Sequence, residues 1–230
     1  MRWGRLVPFG VGVVLAVTGF ELGQWQLRRA DEKTALQAHF DRMAARPAAP
    51  LPATEVPEAW QPVVLHGDWL EGADFLIDNR VHAGRPGYHV VSALRLDDGR
   101  VVLVNRGWTP LGQDRSQLPD VSPPTGPLEV RGVVRMPEAD PFRLAQPEAG
   151  IVRQHLVPDE IGALIGRAVA PWIVLQSPQQ GEPLVRDWQR PDAGIDRHKG
   201  YAVQWFGLAT LVASLTAFFG WREFSRGEQA

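Results

Sequence analysis

Residues Tyr201–Trp221 read YAVQWFGLATLVASLTAFFGW, twenty-one residues without a charge and with aromatic side chains near both ends. As an α-helix that stretch is about 30 Å long, the thickness of a bilayer's hydrocarbon core. Arg197, His198 and Lys199 precede it and Arg222 follows, where their stems can lie along the helix and their heads reach the headgroups. Trp221 falls at the depth of an interfacial aromatic belt. A buried helix of a soluble protein rarely needs so long an uncharged run between basic clusters, so 201–221 is expected to be a transmembrane helix. Gly207, Ala209, Ala213 and Ser214 offer a strip of small residues against which a second helix can pack.

A second helix is available at the other end. Leu6–Phe20, LVPFGVGVVLAVTGF, is uncharged and follows Arg2 and Arg5; extension to Trp25 gives a span over 6–25 with Glu21 and Gln24 near the interface. A cleaved signal peptide shares the pattern of positive charge followed by an apolar run. No small-x-small cleavage site follows, however, and a helix-compatible pattern continues as ELGQWQLRRADEKTALQAHF, which favours a retained anchor. Two spans place residues 1–5 and 222–230 on one side of the membrane and 26–200 on the other. The positive-inside count does not set the orientation. Arg2, Arg5, Arg222 and Arg226 are opposed by Arg28, Arg29, Lys33, Arg186, Arg190, Arg197 and Lys199 near the ends of a loop long enough to translocate regardless of charge.

Between the spans, residues 26–60 read as a helical extension, in which Ala30, Leu36 and Phe40 alternate with charges, followed by a proline-rich linker, RPAAPLPATEVPEAWQP. A mostly-β domain is expected over 61–196. VVLHG, DFLIDNR, YHVVSALRL, RVVLVNRGW and LEVRGVVR are strand candidates, with Asp98-Gly99 as a hairpin turn. Residues 119–127 read as a turn or extended segment. Residues 158–169 place Ile161, Leu164, Ile165, Ala168 and Val169 on one face of a short helix, with Asp159 and Glu160 in its first turn. WIVLQS and PLVRDW are read as strands around Gln179-Gln180-Gly181, and 197–200 as the interfacial approach to the second span. The fold class is therefore a membrane protein with two transmembrane helices flanking a mostly-β (α+β) extracytoplasmic domain.

Composition narrows the chemistry. The 230 residues carry 24 Lys plus Arg against 26 Asp plus Glu, a net charge of −2 that gives no field for steering nucleic acid. The absence of cysteine excludes disulfides, thiolate zinc sites, Cys-ligated clusters, covalent haem attachment through C-x-x-C-H and thiol nucleophiles. No metalloprotease, nucleophile-elbow, P-loop or dinucleotide-binding pattern occurs, and an enzyme is not expected. His39, His66, His82, His89 and His155 show no metal-ligand spacing and read as surface or hydrogen-bonded side chains.

His198 is set apart by its place at the mouth of the second span. His198, Tyr201 and Trp205 follow i, i+3, i+7 spacing and share one helical face, an imidazole with two aromatic neighbours suited to haem iron and a flat macrocycle. The same spacing also fits an ordinary interfacial belt. On the first helix Leu22, Trp25 or Gln26, Arg29 and Lys33 lie along one stripe, which reads either as a snorkelling flank or as positive charge for an anionic group at the depth of His198.

LGQWQLRRADEK at 22–33, VLVNRGWTP at 102–110 and HKGYAVQWFGLA at 198–209, in that order and at those distances from two spans, resemble the surfeit-locus-1 protein family. Members assist the assembly of haem–copper cytochrome c oxidase. The L-G-x-W-Q-x-x-R-x-x-x-K pattern is matched by Leu22, Gly23, Trp25, Gln26, Arg29 and Lys33, and N-R-G-W by Asn105, Arg106, Gly107 and Trp108. H-x-x-Y-A-x-x-W-F-G is matched by His198, Tyr201, Trp205, Phe206 and Gly207. The resemblance implies haem a held transiently by His198 as the iron ligand, with Tyr201, Trp205 and Trp25 packing nearby and Arg29 and Lys33 as propionate partners. The oxidase catalytic subunit and other assembly factors are the implied partners. Where family members commonly carry an amide pair before the histidine, this chain has Asp196-Arg197. The family's topology implies cytoplasmic termini and a periplasmic central domain, and the short N-terminus favours a bacterial inner membrane. A haem-free scaffold acting through protein contacts is the alternative.

Overall fold

The computed structural model describes residues 3–53, 55–112, 117–137, 150–179, 183–188, 190 and 194–227. They form two units, residues 1–41 with 190–230, and residues 42–189.

The first unit is a pair of antiparallel helices. α1 runs from Trp3 to Ala44 and α3 from Ile195 to Gly227. Both contain stretches long and apolar enough, by length and composition, to cross a membrane. The expected helical extension is continuous with the first apolar stretch, in one helix. α1 ends just before Arg46-Pro47, where a following proline disfavours the helical conformation. Along α1, Gly19, Gly23, Gln26 and Ala30 are buried, at helical spacing, and their opposite numbers on α3 include Ala202 and Ala209. A Cβ at Gly19 would stand 3.2 Å from that of Ala209, and one at Gly23 would stand 2.7 Å from the ring of Phe206. Phe206 also packs on Phe20, with centroids 5.5 Å apart. Of the four small residues expected to form the packing strip, only Ala209 is buried; Gly207, Ala213 and Ser214 are exposed. The docking of Phe206 over Gly23 sets the helix phase and turns that strip outward.

Among the described residues the second unit is built on seven strands. β1 is Ala49–Pro50, β2 Pro62–His82, β3 Arg85–Leu96, β4 Val101–Pro110, β5 Leu128–Arg135, β6 Val152–Arg153 and β7 Ile173–Gln176. β2 pairs antiparallel with β3 and β3 with β4; β7 lies parallel to β4 and antiparallel to β5, and β5 returns antiparallel to β2. Five strands thus close into a ring. Period-2 alternation sends Val63 and Leu65, Leu94 and Leu96, Val102 and Val104, Val130 and Val134 and Val174 into one core. The opposite face carries Phe75, Ile77, Val91, Ala93, Val101, Leu103 and Ile173, packed with Ile161 of α2, Pro158–Ile165.

The two segments VVLHG and DFLIDNR are one strand, β2, whose pairing with β3 is interrupted between Trp69 and Asp74 around Gly72 at φ 70°. α2 stops at Ile165, short of the expected 169, because Gly166 adopts a left-handed conformation that closes the helix. In PLVRDW only Val185 bridges, to Trp108, and Gln180-Gly181 lie outside the described residues. The proline-rich stretch expected to be a linker joins this unit. Ala49 pairs with Val63, Leu51 is in the core, and the buried Trp60 gives its amide to Val134 O at 2.7 Å beneath the guanidinium of Arg135.

Candidate functional site

His198 lies in the first turn of α3, where its amide donates to Gly194 O at 3.3 Å. Its side chain turns toward α1, and Nδ1 lies 2.6 Å from Oε1 of Gln26, a residue only 8% exposed. The remaining residues expected around it divide. Trp205 is half-buried on the same side of α3 as His198. Tyr201 is 46% exposed, with the buried Ala202 beside it facing α1. On α1, Gln26 rather than Trp25 faces α3, since Trp25 is 47% exposed. Arg29 points outward and donates to Glu32 at 2.7 Å in an exposed pair one turn away. Lys33 is half-buried and reaches the start of α3, its Nζ 3.7 Å from where a Cβ of Gly194 would stand. The helix pair therefore brings His198 and Gln26 together, leaves Lys33 and Trp205 half-buried about two turns to either side of that contact, and leaves Tyr201, Trp25 and Arg29 exposed.

Among the described residues no group of three or more His, Asp or Glu side chains is arranged to hold a bare metal ion. A single imidazole, oriented through Nδ1, suits iron that arrives with four nitrogens of its own.

A cleft of about 670 Å³ lies wholly within the sheet unit, on the face opposite the ring's core. Its formation depends on a bulge in β4. Val91 pairs with Asn105 and Val90 with Gly107, leaving Arg106 as the extra residue. Without the bulge, Asn105 and Trp108 would face opposite sides; with it, both reach the cleft. Gly107 makes this local path possible. Its φ is 142°, and a Cβ there would stand 2.9 Å from Val185 O, across which Trp108 and Val185 exchange backbone hydrogen bonds of 2.7 and 2.8 Å.

Arg106 itself turns inward, where it is 7% exposed. Its guanidinium lies 5.7 Å from the Trp69 ring, 3.4 Å from Ser92 Oγ, and donates to Val121 O. Ser92 in turn donates to Asp74. Burial pushes the Asp74 carboxyl above the usual carboxylate range, against the opposing pull of the Ser92 hydrogen bond and the Arg106 charge. The pair is a structural link between the ring's core and the smaller cluster of Leu76, Tyr88 and Val90.

On the cleft side, Asn105 is 4% exposed; its Oδ1 accepts from Gly107 N at 3.3 Å. Trp108 Nε1 donates to Arg80 O at 2.9 Å, and its ring packs on His82 with centroids 5.2 Å apart. His89 stands edge-on to Trp188 at 5.6 Å. Burial, reinforced by the Arg80 charge, pushes the His89 imidazole down to about 4, so it is a neutral proton acceptor at pH 7. His82, His89 and His155 all line this cleft, although the sequence spacing of the histidines gave no reason to group them. The signal that could have found it was the parity of N-R-G-W: a polar residue and a tryptophan three apart share a strand face only across a bulge.

Comparison with known proteins covers both sites. A sequence model of the SURF1 family matches residues 13–210. The cytochrome oxidase assembly protein SHY1 of Saccharomyces cerevisiae is 31% identical over 112 residues, which is 46% of this chain and 29% of the yeast protein. A SURF1-like protein of Caenorhabditis elegans is 27% identical over 178 residues, 64% of this chain and 55% of the relative. Surfeit locus protein 1 of Mus musculus is 26% identical over 226 residues, 88% of this chain and 72% of the mouse protein. The chain thus matches under a third of the yeast protein and about half of the nematode one. Since the matched stretch takes in most of α1 with Gln26, the whole sheet unit and the first half of α3 with His198, the chain belongs to the SURF1 family.

Proposed function

We propose that this protein is a membrane-inserted assembly factor for haem–copper cytochrome oxidase that holds haem a at His198 and aids its insertion into the catalytic subunit. The observation that carries this reading is His198 at the start of α3, with Nδ1 held by Gln26 2.6 Å away. The name of the yeast relative, a cytochrome oxidase assembly protein, supports the oxidase as client. α1 and α3 serve as the two spans, with the sheet unit on the periplasmic side of a bacterial inner membrane. When bound, the haem supplies the iron and a flat conjugated ring bearing two carboxylates. His198 offers the imidazole nitrogen, and Trp205 the adjoining aromatic surface. Lys33 and Arg29 offer cationic groups for the carboxylates; Arg29 exchanges its partner at little cost, because its pair with Glu32 is exposed. One histidine holds the cofactor without sequestering it, as delivery requires.

The test is the optical spectrum and extracted-haem identity of detergent-purified protein, made with and without haem a synthesis, beside His198→Ala. A haem a signal that depends on both synthesis and His198 is expected. A haem-free scaffold draws on the same bond, since a Gln–His contact between helices also serves as polar packing. Absence of haem from every sample would decide for the scaffold.

A further inference from the structure

We propose that Gln26 is the positioning residue for His198: it fixes the imidazole's tautomer and orientation so that Nε2 is the atom presented as a ligand. The proposal rests on the reading of His198 as an iron ligand, and it extends that reading to a residue on the other helix. Oε1 of Gln26 is a carbonyl oxygen and can only accept, so at 2.6 Å the proton of the neutral ring belongs on Nδ1, which donates. The lone pair is then on Nε2. The geometry is fixed from both sides. Gln26 is 8% exposed, in line with the buried Gly19, Gly23 and Ala30 on α1, and His198 is held in the first turn of α3 by its amide bond to Gly194 O. Phe206, seated over Gly23, fixes the phase of the two helices two turns further along α3. The exposed Trp25, adjacent in sequence, cannot make this contact from its own face.

The chemistry of the partner also sets the strength of the ligand. A carboxylate hydrogen-bonded to Nδ1 draws the proton toward itself and raises the basicity of the other nitrogen; a neutral amide does so less. Glutamine therefore orients the ring while leaving it a moderate ligand, which suits a protein that must give its cofactor up.

The experiment uses the full chain in detergent with haemin as the probe. Gln26→Leu, which keeps the volume and removes the acceptor, is expected to weaken haemin binding ten- to hundredfold. Gln26→Glu is expected to bind at least as tightly as the wild type and to release haemin to apomyoglobin more slowly. Independently of haem, ¹⁵N spectra of the histidine-labelled apoprotein, with His198 assigned through His198→Ala, are expected to place its proton on Nδ1 in the wild type but not in Gln26→Leu. Wild-type affinity in Gln26→Leu, or a proton on Nε2 in the wild type, overturns the proposal. If the wild type takes up no haemin while its proton sits on Nδ1, the ligand reading fails and the positioning of the ring by Gln26 stands.

Discussion

Acidification should cost the sheet unit stability through one residue, His89. Its ring lies on β3 opposite Ile77 and Trp108, edge-on to Trp188, and burial with the Arg80 charge holds it down to about 4 against 6.5 for the unfolded chain. Between those two values the unfolded chain binds a proton that the folded chain refuses, so stability falls as pH falls. The contribution is intact above 6.5 and lost by 4. At about 1.4 kcal/mol per pH unit the full loss is about 3 kcal/mol, and about 2 kcal/mol of it is incurred by pH 5. The measurement is urea unfolding of the full chain in detergent between pH 7 and 4.5, wild type against His89→Gln. Taking the difference in slopes removes the contribution of every other titrating group common to both. The wild type should lose about 2 kcal/mol more than the variant on going from pH 7 to 5. Equal slopes would refute the argument, as would a His89 midpoint near 6.5 in an NMR titration.

Two further substitutions test the packing. Gly23→Ala places a methyl 2.7 Å from the Phe206 ring and should weaken the helix pair by about 1–3 kcal/mol, with Phe206→Leu recovering part of the loss; thermal unfolding of the single and double variants reads this, and an unperturbed single variant would contradict the contact. Gly67→Ala would drive a Cβ into the Arg95 carbonyl oxygen, in the strand pair that carries the ring from β2 to β3. Neither backbone can yield there without parting the pair, so a loss of at least about 2 kcal/mol in chemical unfolding is expected, and a near-neutral effect would mean that β2 and β3 are further apart.

Features governed by local pattern were legible in the sequence. The two long helices follow from uncharged runs, β3, β4 and β5 from short segments rich in Val, Ile and Leu, and the hairpin from Asp98-Gly99, where Gly99 takes φ 88° and its amide reaches Leu96 O at 2.9 Å. Features set by long-range registry were not. The break around Gly72 made β2 look like two strands, because the polar and glycine residues between Trp69 and Asp74 read as a loop although β3 pairs on both sides of them. Leu51 and Trp60 are isolated apolar residues among prolines, with no periodicity to announce their burial. At the candidate site the place of His198 at the mouth of the second long helix was legible in the sequence. Which of Trp25 and Gln26 faces it was not, since adjacent residues differ by about 100° around the axis and a fractional error in helix phase exchanges them. The grouping of His82, His89 and His155 depends on the β4 bulge and on chain segments far apart in sequence, so no local window contains it.

The strand that completes the ring is also the last to be synthesised. Among the described residues β4 and β5 are joined only through the four residues Ile173–Gln176, and β5 ends at Arg135. A growing chain therefore holds two strands with open edges while about 40 more residues are added, roughly two to eight seconds at ordinary elongation rates of about 5–20 residues per second. For that interval β4 and β5 are each other's, and any neighbouring chain's, available partners. The biosynthesis of this protein thus has a vulnerable window whose length is written into the spacing between its fifth and seventh strands.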